Sequence, residues 1–272
     1  MPLLYPCEIL VSFKNKVFLI CANIWIFAVF ICWTLLFLPW GLAIVSLDTL
    51  RLWRDGPNFM RQACYFYARI MWYLLLPALP IRIHNEDGVK KHAPCIIIAN
   101  HQSFLDLFLF GAQSSPNFCF FSKSWPYKKL FFFAPMMRYA EYINVEELPP
   151  EEVEKRSLAL LKKGVSLVIF PEGQRTRTGA LGRFHVGAFH LACLAHVPVV
   201  PLVIENSNAV FPIGGTYFTP EPIVVRVLSA LYPQDFMYET FPHRAMMKKA
   251  RECYLHYFQQ RTDKVHKETK YA

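Results

Sequence analysis

The longest apolar run in the sequence lies near its start. Residues 17–38 contain only Asn23 and Thr34 as polar side chains. A helix of this length can cross a bilayer core of about 30 Å. The pattern therefore predicts an apolar membrane helix over about 17–38, with a break or kink at Pro39 and Gly41. Basic residues flank the run on both sides, so a single span and a hairpin that returns to the same side both stay open.

A second helical pattern follows at 59–76. Apolar residues recur there at three- and four-residue spacing, and Arg61, Gln62 and Arg69 lie on the other side of the helix. This pattern is typical of an amphipathic helix at a lipid interface, and the alternative is a core helix of the main domain. We therefore predict that residues 1–80 form a membrane-associated helical region.

From residue 81 the pattern changes to short apolar strands alternating with helices. This alternation predicts an α/β domain over 81–272, with a mostly parallel mixed sheet flanked by helices. The predicted strands are 81–84, 95–99, 118–122, 142–145, 166–170, 199–205 and 223–228, and the predicted helices are 103–112, 151–163, 186–195 and 243–260.

The strand predicted at 95–99 leads into the first candidate chemical group. His101 follows the strand, and Asp106 falls in the first turn of the next helix, which Ser103 can cap. A short turn brings the carboxylate back to the imidazole. A carboxylate on one ring nitrogen fixes the tautomer and leaves the other nitrogen free to accept a proton.

A second polar loop follows the strand predicted at 166–170. It contains Gly173, Arg175 and Arg177, and Arg183 lies a little further on. The carboxyl ends of parallel strands share one edge of a sheet, so this loop is expected to face His101. Guanidinium and backbone N–H groups suit a phosphate. A solvated turn is the alternative reading of the same arginines.

Composition and charge favour a membrane setting. The chain is 54% hydrophobic with a net charge of +9, and its mean hydropathy is +0.24. These values suit a protein close to anionic lipid or phosphate. The C-terminal helix is basic, with eight Lys or Arg against three Asp or Glu in 243–272. Many aromatic residues lie in apolar runs, which argues against a nucleic-acid partner.

The eight cysteines are scattered along the chain and form no Cys-x-x-Cys pair. This argues against a zinc site, and we predict no metal. Buried, reduced thiols in a cytosol-facing protein are the expectation.

Two sequence blocks resemble the glycerolipid acyltransferases. Residues 100–106 (NHQSFLD) match the family's NH-x4-D block, and residues 170–176 (FPEGQRT) match its FPEG-x-R block. Residues 197–201 resemble its late VP-x-VP strand. The likeness extends over roughly 80–230 and is greatest to the 1-acyl-sn-glycerol-3-phosphate acyltransferases. It implies a fold like that of glycerol-3-phosphate acyltransferase, with helices anchoring it to the membrane.

The resemblance also implies a reaction. An acyl chain passes from a thioester on coenzyme A or acyl carrier protein to the free hydroxyl of 1-acylglycerol-3-phosphate, which gives phosphatidic acid. The donor is a co-substrate, no bound cofactor is implied, and the partners are the donor and membrane lipid. By resemblance His101 is the general base and Asp106 orients it. The basic C-terminal helix and the reduced cysteines indicate an active site that faces the cytosol. Glu172, Gly173 and Arg175 are the implied phosphate-binding residues, and Lys123, Arg177 and Arg183 are accessory candidates.

The middle block of the family is altered in this chain. Glu141 stands where glycine is common, and Glu147 stands where arginine is common. Either Arg138, Arg177 or Arg183 replaces the missing charge, or the acceptor is another lysolipid. A lysolipid or thioester hydrolase and a catalytically silent lipid-binding protein are further alternatives.

Overall fold

The computed structural model describes residues 16–50, 55–85, 88–112 and 117–270. Eight α-helices occur in these ranges: α1 Lys16–Thr49, α2 Gly56–Leu75, α3 Ser124–Lys129, α4 Ala134–Tyr139, α5 Pro150–Lys162, α6 Gly187–Ala195, α7 Ser207–Val210 and α8 Pro242–Lys270. There are also 3₁₀ helices at Lys90–His92, Phe104–Ala112 and Pro233–Phe236.

The seven predicted strands all form and make one sheet, in the order β1-β7-β6-β2-β5-β3-β4. Only β6 and β7 pair antiparallel, so the prediction of a mostly parallel mixed sheet is confirmed. The strands are β1 Ile81–His84, β2 Ile96–Ala99, β3 Phe118–Ser122, β4 Ile143–Asn144, β5 Ser166–Ile169, β6 Val199–Glu205 and β7 Ile223–Val227.

The central strand β2 is buried on both faces, which is why its sequence is continuously apolar rather than alternating. Ile97 belongs to the hydrophobic cluster that includes α1, α2 and the 3₁₀ helix Phe104–Ala112. Ile96 and Ile98 belong to the cluster on the other face, with α5, α6 and α8. The carboxyl ends of β2, β5 and β3 lie at one edge of the sheet, where the candidate residues follow.

The apolar helix α1 is longer than predicted and continues through Pro39 and Gly41. A break at these residues is therefore wrong, and so is a hairpin within the apolar run, while a kink in the continuous helix stays a prediction. Packing explains the continuity, since Phe37 stacks near Phe133 of the domain and the face at Gly41 lies against Met136. Tertiary contacts of this kind override the tendency of proline to break a helix.

Helices α1 and α2 pair antiparallel. The indole N–H of Trp25 donates to the carbonyl of Leu74 at 2.8 Å, and that of Trp33 donates to the carbonyl of Tyr67 at 2.9 Å. Helix α1 is also bound to the α/β domain by Asn23. Its side chain accepts the N–H of Phe218 at 2.6 Å and donates to the carbonyl of the same residue at 2.8 Å.

Helix α2 combines the two alternatives that the sequence left open: one of its faces packs in the core, and another exposes apolar side chains. One face packs against the 3₁₀ helix Phe104–Ala112, while Phe66, Ile70 and Tyr73 are exposed on another. The placement of Arg61 on the polar side was wrong, because its side chain is only 4% exposed and is paired with Glu141. The helical pattern could not reveal this distant partner.

The helix predicted at 103–112 forms as a 3₁₀ helix over Phe104–Ala112, and α8 continues ten residues beyond the predicted end at 260. The short helices α3, α4 and α7 were not predicted. Burial raises the pKa of the thiols of Cys95 and Cys119 to about 12, so both are unreactive thiols of the core. Cys7 lies outside the described residues.

Candidate active site

A capping box at the start of the 3₁₀ helix Phe104–Ala112 builds the first part of the site. The hydroxyl of Ser103 accepts the N–H of Leu105 at 3.3 Å, and Asp106 Oδ2 accepts the N–H of Ser103 at 2.8 Å. Reciprocal bonds of this kind are what a Ser-x-x-Asp sequence forms at a helix start. The box turns the carboxylate of Asp106 back toward the end of β2.

The same carboxylate oxygen holds His101. The distance from His101 Nδ1 to Asp106 Oδ2 is 2.8 Å, and that oxygen also accepts the N–H of Gln102 at 2.6 Å. Asp106 is fully buried, and the side chain of His101 is 18% exposed. The proton on Nδ1 is assigned from this bond, because the carboxylate is an acceptor. Nε2 is then the nitrogen that can accept a proton.

Two further residues hold the imidazole segment in place, and sequence reasoning gave neither a role. The side chain of Asn100 exchanges two hydrogen bonds of 2.8 Å with the backbone of Ile204, which joins the end of β2 to β6. The ring of Phe170 stacks on the His101 ring with centroids 4.0 Å apart. The signals for these residues were their places at the ends of buried strands and within the two motif blocks.

Glu172 connects three backbone segments. Its Oε1 accepts the N–H of His101 at 2.9 Å, and its Oε2 accepts the N–H of Gly182 at 2.6 Å. Burial raises the pKa of Glu172, and the two N–H groups oppose that rise. The predicted place of Glu172 in a phosphate site stays a prediction. Its contacts with the protein are those of a residue that positions His101.

Glycine is favoured at two positions of this loop. Gly173 has a φ of +67°, a conformation that other residues rarely adopt. A Cβ at Gly182 would lie 2.6 Å from Glu172 Oε2. The N–H of Thr176 donates to the carbonyl of His101 at 2.8 Å, so the loop after β5 is bound to the loop after β2.

A cavity of about 810 Å³, here named the catalytic cavity, opens at this edge of the sheet. The guanidinium of Arg175 lies 5.9 Å from the centre of the Trp125 ring. Glu172 and Asp106 are buried behind the cavity wall, and Arg183 is exposed outside it. The predicted residues that line the catalytic cavity are His101, Lys123, Gly173, Arg175 and Arg177.

A second cavity, here named the apolar cavity, adjoins the first and has a volume of about 570 Å³. It lies between α1, α2 and β3, close to the helical anchor, where the chemistry implied by the resemblance needs space for an acyl chain. Both cavities are lined by Leu107, Phe121, Ser122 and Pro126.

Of the three arginines that could replace the missing charge of the middle block, only Arg177 lines the catalytic cavity. Arg138 lines a third, polar cavity of about 400 Å³, together with Glu141 and Glu147. Within the described residues, no three His, Cys, Asp or Glu side chains are arranged to hold a metal ion.

We expect Glu172→Gln to lower kcat roughly 10- to 100-fold and to change the KM of the acceptor little. The amide has one acceptor oxygen, so one of the two N–H groups loses its partner, a loss worth about 1.5–3 kcal/mol for a charged acceptor. Steady-state kinetics test this, with Glu152→Gln on the surface of α5 as the control. A raised KM with an unchanged kcat would instead assign Glu172 to substrate binding.

Comparison with known proteins identifies the class. Residues 80–205 match the family model described as Acyltransferase, and both motif loops fall within that range. The part of the chain that carries both motif loops therefore resembles an acyltransferase domain.

Several curated relatives share one name, 1-acyl-sn-glycerol-3-phosphate acyltransferase. The chloroplastic protein of Brassica napus is 36% identical over 136 residues, which is 47% of this chain and 38% of the relative. The chain thus spans well under half the length of that relative. The protein of Limnanthes douglasii is 27% identical over 236 residues, covering 82% of this chain and 79% of the relative.

A solved structure shares the fold. The 1-acyl-sn-glycerophosphate acyltransferase PlsC of Thermotoga maritima matches with a TM-score of 0.67 and 19% identity, over 86% of this chain and 96% of that chain. The predicted fold class is confirmed by this match.

Proposed function

We propose that this protein transfers an acyl chain from a thioester to the free hydroxyl of 1-acylglycerol-3-phosphate, forming phosphatidic acid. The observation that carries the proposal is the position of His101. Its ring lies in a cavity with three cationic side chains, Lys123, Arg175 and Arg177, and that cavity shares a wall with the apolar cavity. A phosphate and an acyl chain are the two parts that such a pair of cavities can hold. The names of the relatives point to the same reaction.

The chemistry needs one base. His101 Nε2 takes the proton of the acceptor hydroxyl as its oxygen attacks the thioester carbonyl carbon. Asp106 stabilises the imidazolium through the 2.8 Å contact with Nδ1. The C–S bond then breaks, the imidazolium returns the proton to the leaving thiolate, and His101 is regenerated. No side chain is acylated in this scheme. Ser103 is unsuited to that role, since its hydroxyl donates to the carbonyl of Phe211 at 2.7 Å.

The donor is proposed to be acyl-coenzyme A or an acylated carrier protein, acting as a co-substrate without a bound cofactor. One panel tests the function: each donor, radiolabelled in the acyl group, with lysophosphatidate and with lysolipids bearing other head groups. Transfer fastest to lysophosphatidate is expected. Faster transfer to a lysolipid with another head group would identify that lysolipid as the acceptor. Release of free fatty acid without any acceptor would indicate a hydrolase.

Arg175→Ala is expected to raise the KM for lysophosphatidate about tenfold with a smaller effect on kcat. A lost hydrogen bond to a charged group costs about 1.5–3 kcal/mol, and the partial exposure of Arg175 to water places the effect at the low end. Initial rates at varied acceptor concentration measure it. Arg183→Ala is the matched control, because Arg183 lies outside the catalytic cavity and should leave KM unchanged. An unchanged KM in Arg175→Ala would remove Arg175 from the phosphate site.

We propose that the protein attaches to one face of a membrane through α1 and α2. Helix α1 is apolar and long enough to cross a bilayer, yet it contacts the α/β domain from Asn23 to Gly41. A helix attached to the domain at both ends of that length fits best along the bilayer surface. Its exposed apolar side chains, including Ile24, Ile31, Leu35, Leu36 and Trp40, then face the lipid. We place the active site on the cytosolic side, which protease accessibility in oriented vesicles tests.

A further inference from the structure

An ion pair closes one end of the apolar cavity. Among the described residues that line this cavity, Arg61 alone has a charged side chain, and its Nη1 lies 2.8 Å from Glu141 Oε2. Glu141 lines the third, polar cavity on the far side, and Tyr142 lines both. The Arg61–Glu141 pair is therefore the partition between an apolar space and a polar one.

The partition lies at the end of the cavity away from His101. Arg61 Nε donates to Asn117 Oδ1 at 2.8 Å, and Asn117 immediately precedes β3. Two of the four residues that the apolar cavity shares with the catalytic cavity, Phe121 and Ser122, are at the other end of the same strand. With about 3.3 Å per strand residue, the two ends are roughly 13 Å apart along β3.

The local structure holds the partition in place. Glu141 has a φ of +61°, in the left-handed region where glycine is favoured. A glutamate persists in this conformation where surrounding contacts over-determine it. Here its two oxygens are held by Arg61 at 2.8 Å and by Lys163 at 3.3 Å. The guanidinium also donates to the carbonyl of Ala140 at 3.2 Å.

We infer that the Arg61–Glu141 pair limits the length of the donor acyl chain, an inference that rests on the proposed function. A chain entering from His101 runs along Phe120 and Phe118 and ends against the guanidinium. A longer chain would have to displace a side chain that is 4% exposed and bonded to three acceptors. Moving that charge without its partners is costly, whereas a chain that stops short of it is buried in apolar surroundings.

The test uses the double variant Arg61→Met/Glu141→Gly. It removes both charges together, and it places glycine at the left-handed position. The kcat/KM ratios are measured with mixtures of saturated acyl-coenzyme A donors of increasing length. The shortest donor should react as in the unsubstituted protein. The longest donor should gain about fourfold for each methylene that the opened cavity newly buries. Lys163→Met, which removes the exposed neighbour of Glu141, is the control and should keep the original length profile.

Three results would overturn the inference: an unchanged length profile in the double variant, a shift shared by Lys163→Met, or a shift that follows the acyl chain of the acceptor instead of the donor. If the double variant fails to fold, Arg61→Lys keeps the charge on a smaller head group and should give a smaller shift in the same direction. Displacement of a fluorescent fatty acid by fatty acids of increasing length measures the limit without turnover. It separates failure of the partition from failure of the proposed reaction.

Discussion

His101→Ala is expected to lower kcat by about two to four orders of magnitude, the range that a general base contributes. The cationic side chains of the catalytic cavity are untouched, so the KM for lysophosphatidate should change little. His101 contributes one ring stacked on Phe170 at the sheet edge, and the fold and the membrane attachment should survive its loss. Initial rates, thermal unfolding and co-sedimentation with vesicles measure the three properties.

His256→Ala is the matched control for this variant. His256 is exposed on α8, where its ring contacts Gln260, and its removal should leave kcat unchanged. Retention of more than a few per cent of the activity in His101→Ala would contradict the role of His101 as the base.

Asp106→Asn is expected to reduce kcat by a similar factor, because a neutral amide cannot stabilise the imidazolium that forms when His101 takes the proton. One carboxylate oxygen, Oδ2, contacts His101 Nδ1 and accepts the N–H groups of Gln102 and Ser103. The amide oxygen in that position keeps these three contacts and the orientation of the ring, and the variant loses the negative charge alone. Single-turnover rates across a range of pH measure the effect.

A double variant separates this explanation from simple loss of structure. If His101 and Asp106 act as one unit, Asp106→Asn should have little further effect in a protein that already lacks His101. Asp235→Asn is the control, since Asp235 also lies in the first turn of a 3₁₀ helix but is exposed. Equal losses from Asp106→Asn with and without His101 would mean that the carboxylate acts independently of the imidazole.

Features set by neighbours in sequence could be predicted well. The strands were recognisable because short runs of β-branched and aromatic residues, bounded by turns, are typical of buried strands. The contact between His101 and Asp106 was predictable because a capping box, local to six residues, creates it. The two motif loops were expected to face each other because both follow the carboxyl ends of parallel strands, which lie at one edge of the sheet.

Features set by distant partners could not be predicted. Helix α1 continues through Pro39 because α2 and α4 pack against it. Arg61 is buried because Glu141, 80 positions away, neutralises it. The two oxygens of Glu172 are bonded to N–H groups of other loops. In each case the deciding interaction joins residues that no periodicity or motif relates.

The packing of α1 on the domain holds His101 at a fixed position relative to this apolar helix. Phe30 of α1 lies against Phe108, with ring centroids 5.6 Å apart, and Phe108 belongs to the same 3₁₀ helix as Asp106. Two hydrogen bonds from Asn23 add a second attachment. If α1 rests in the outer part of a leaflet, the distance from the hydrocarbon boundary to His101 Nε2 is then a constant dimension of the folded protein. A lysolipid could meet the base at head-group level without leaving its leaflet.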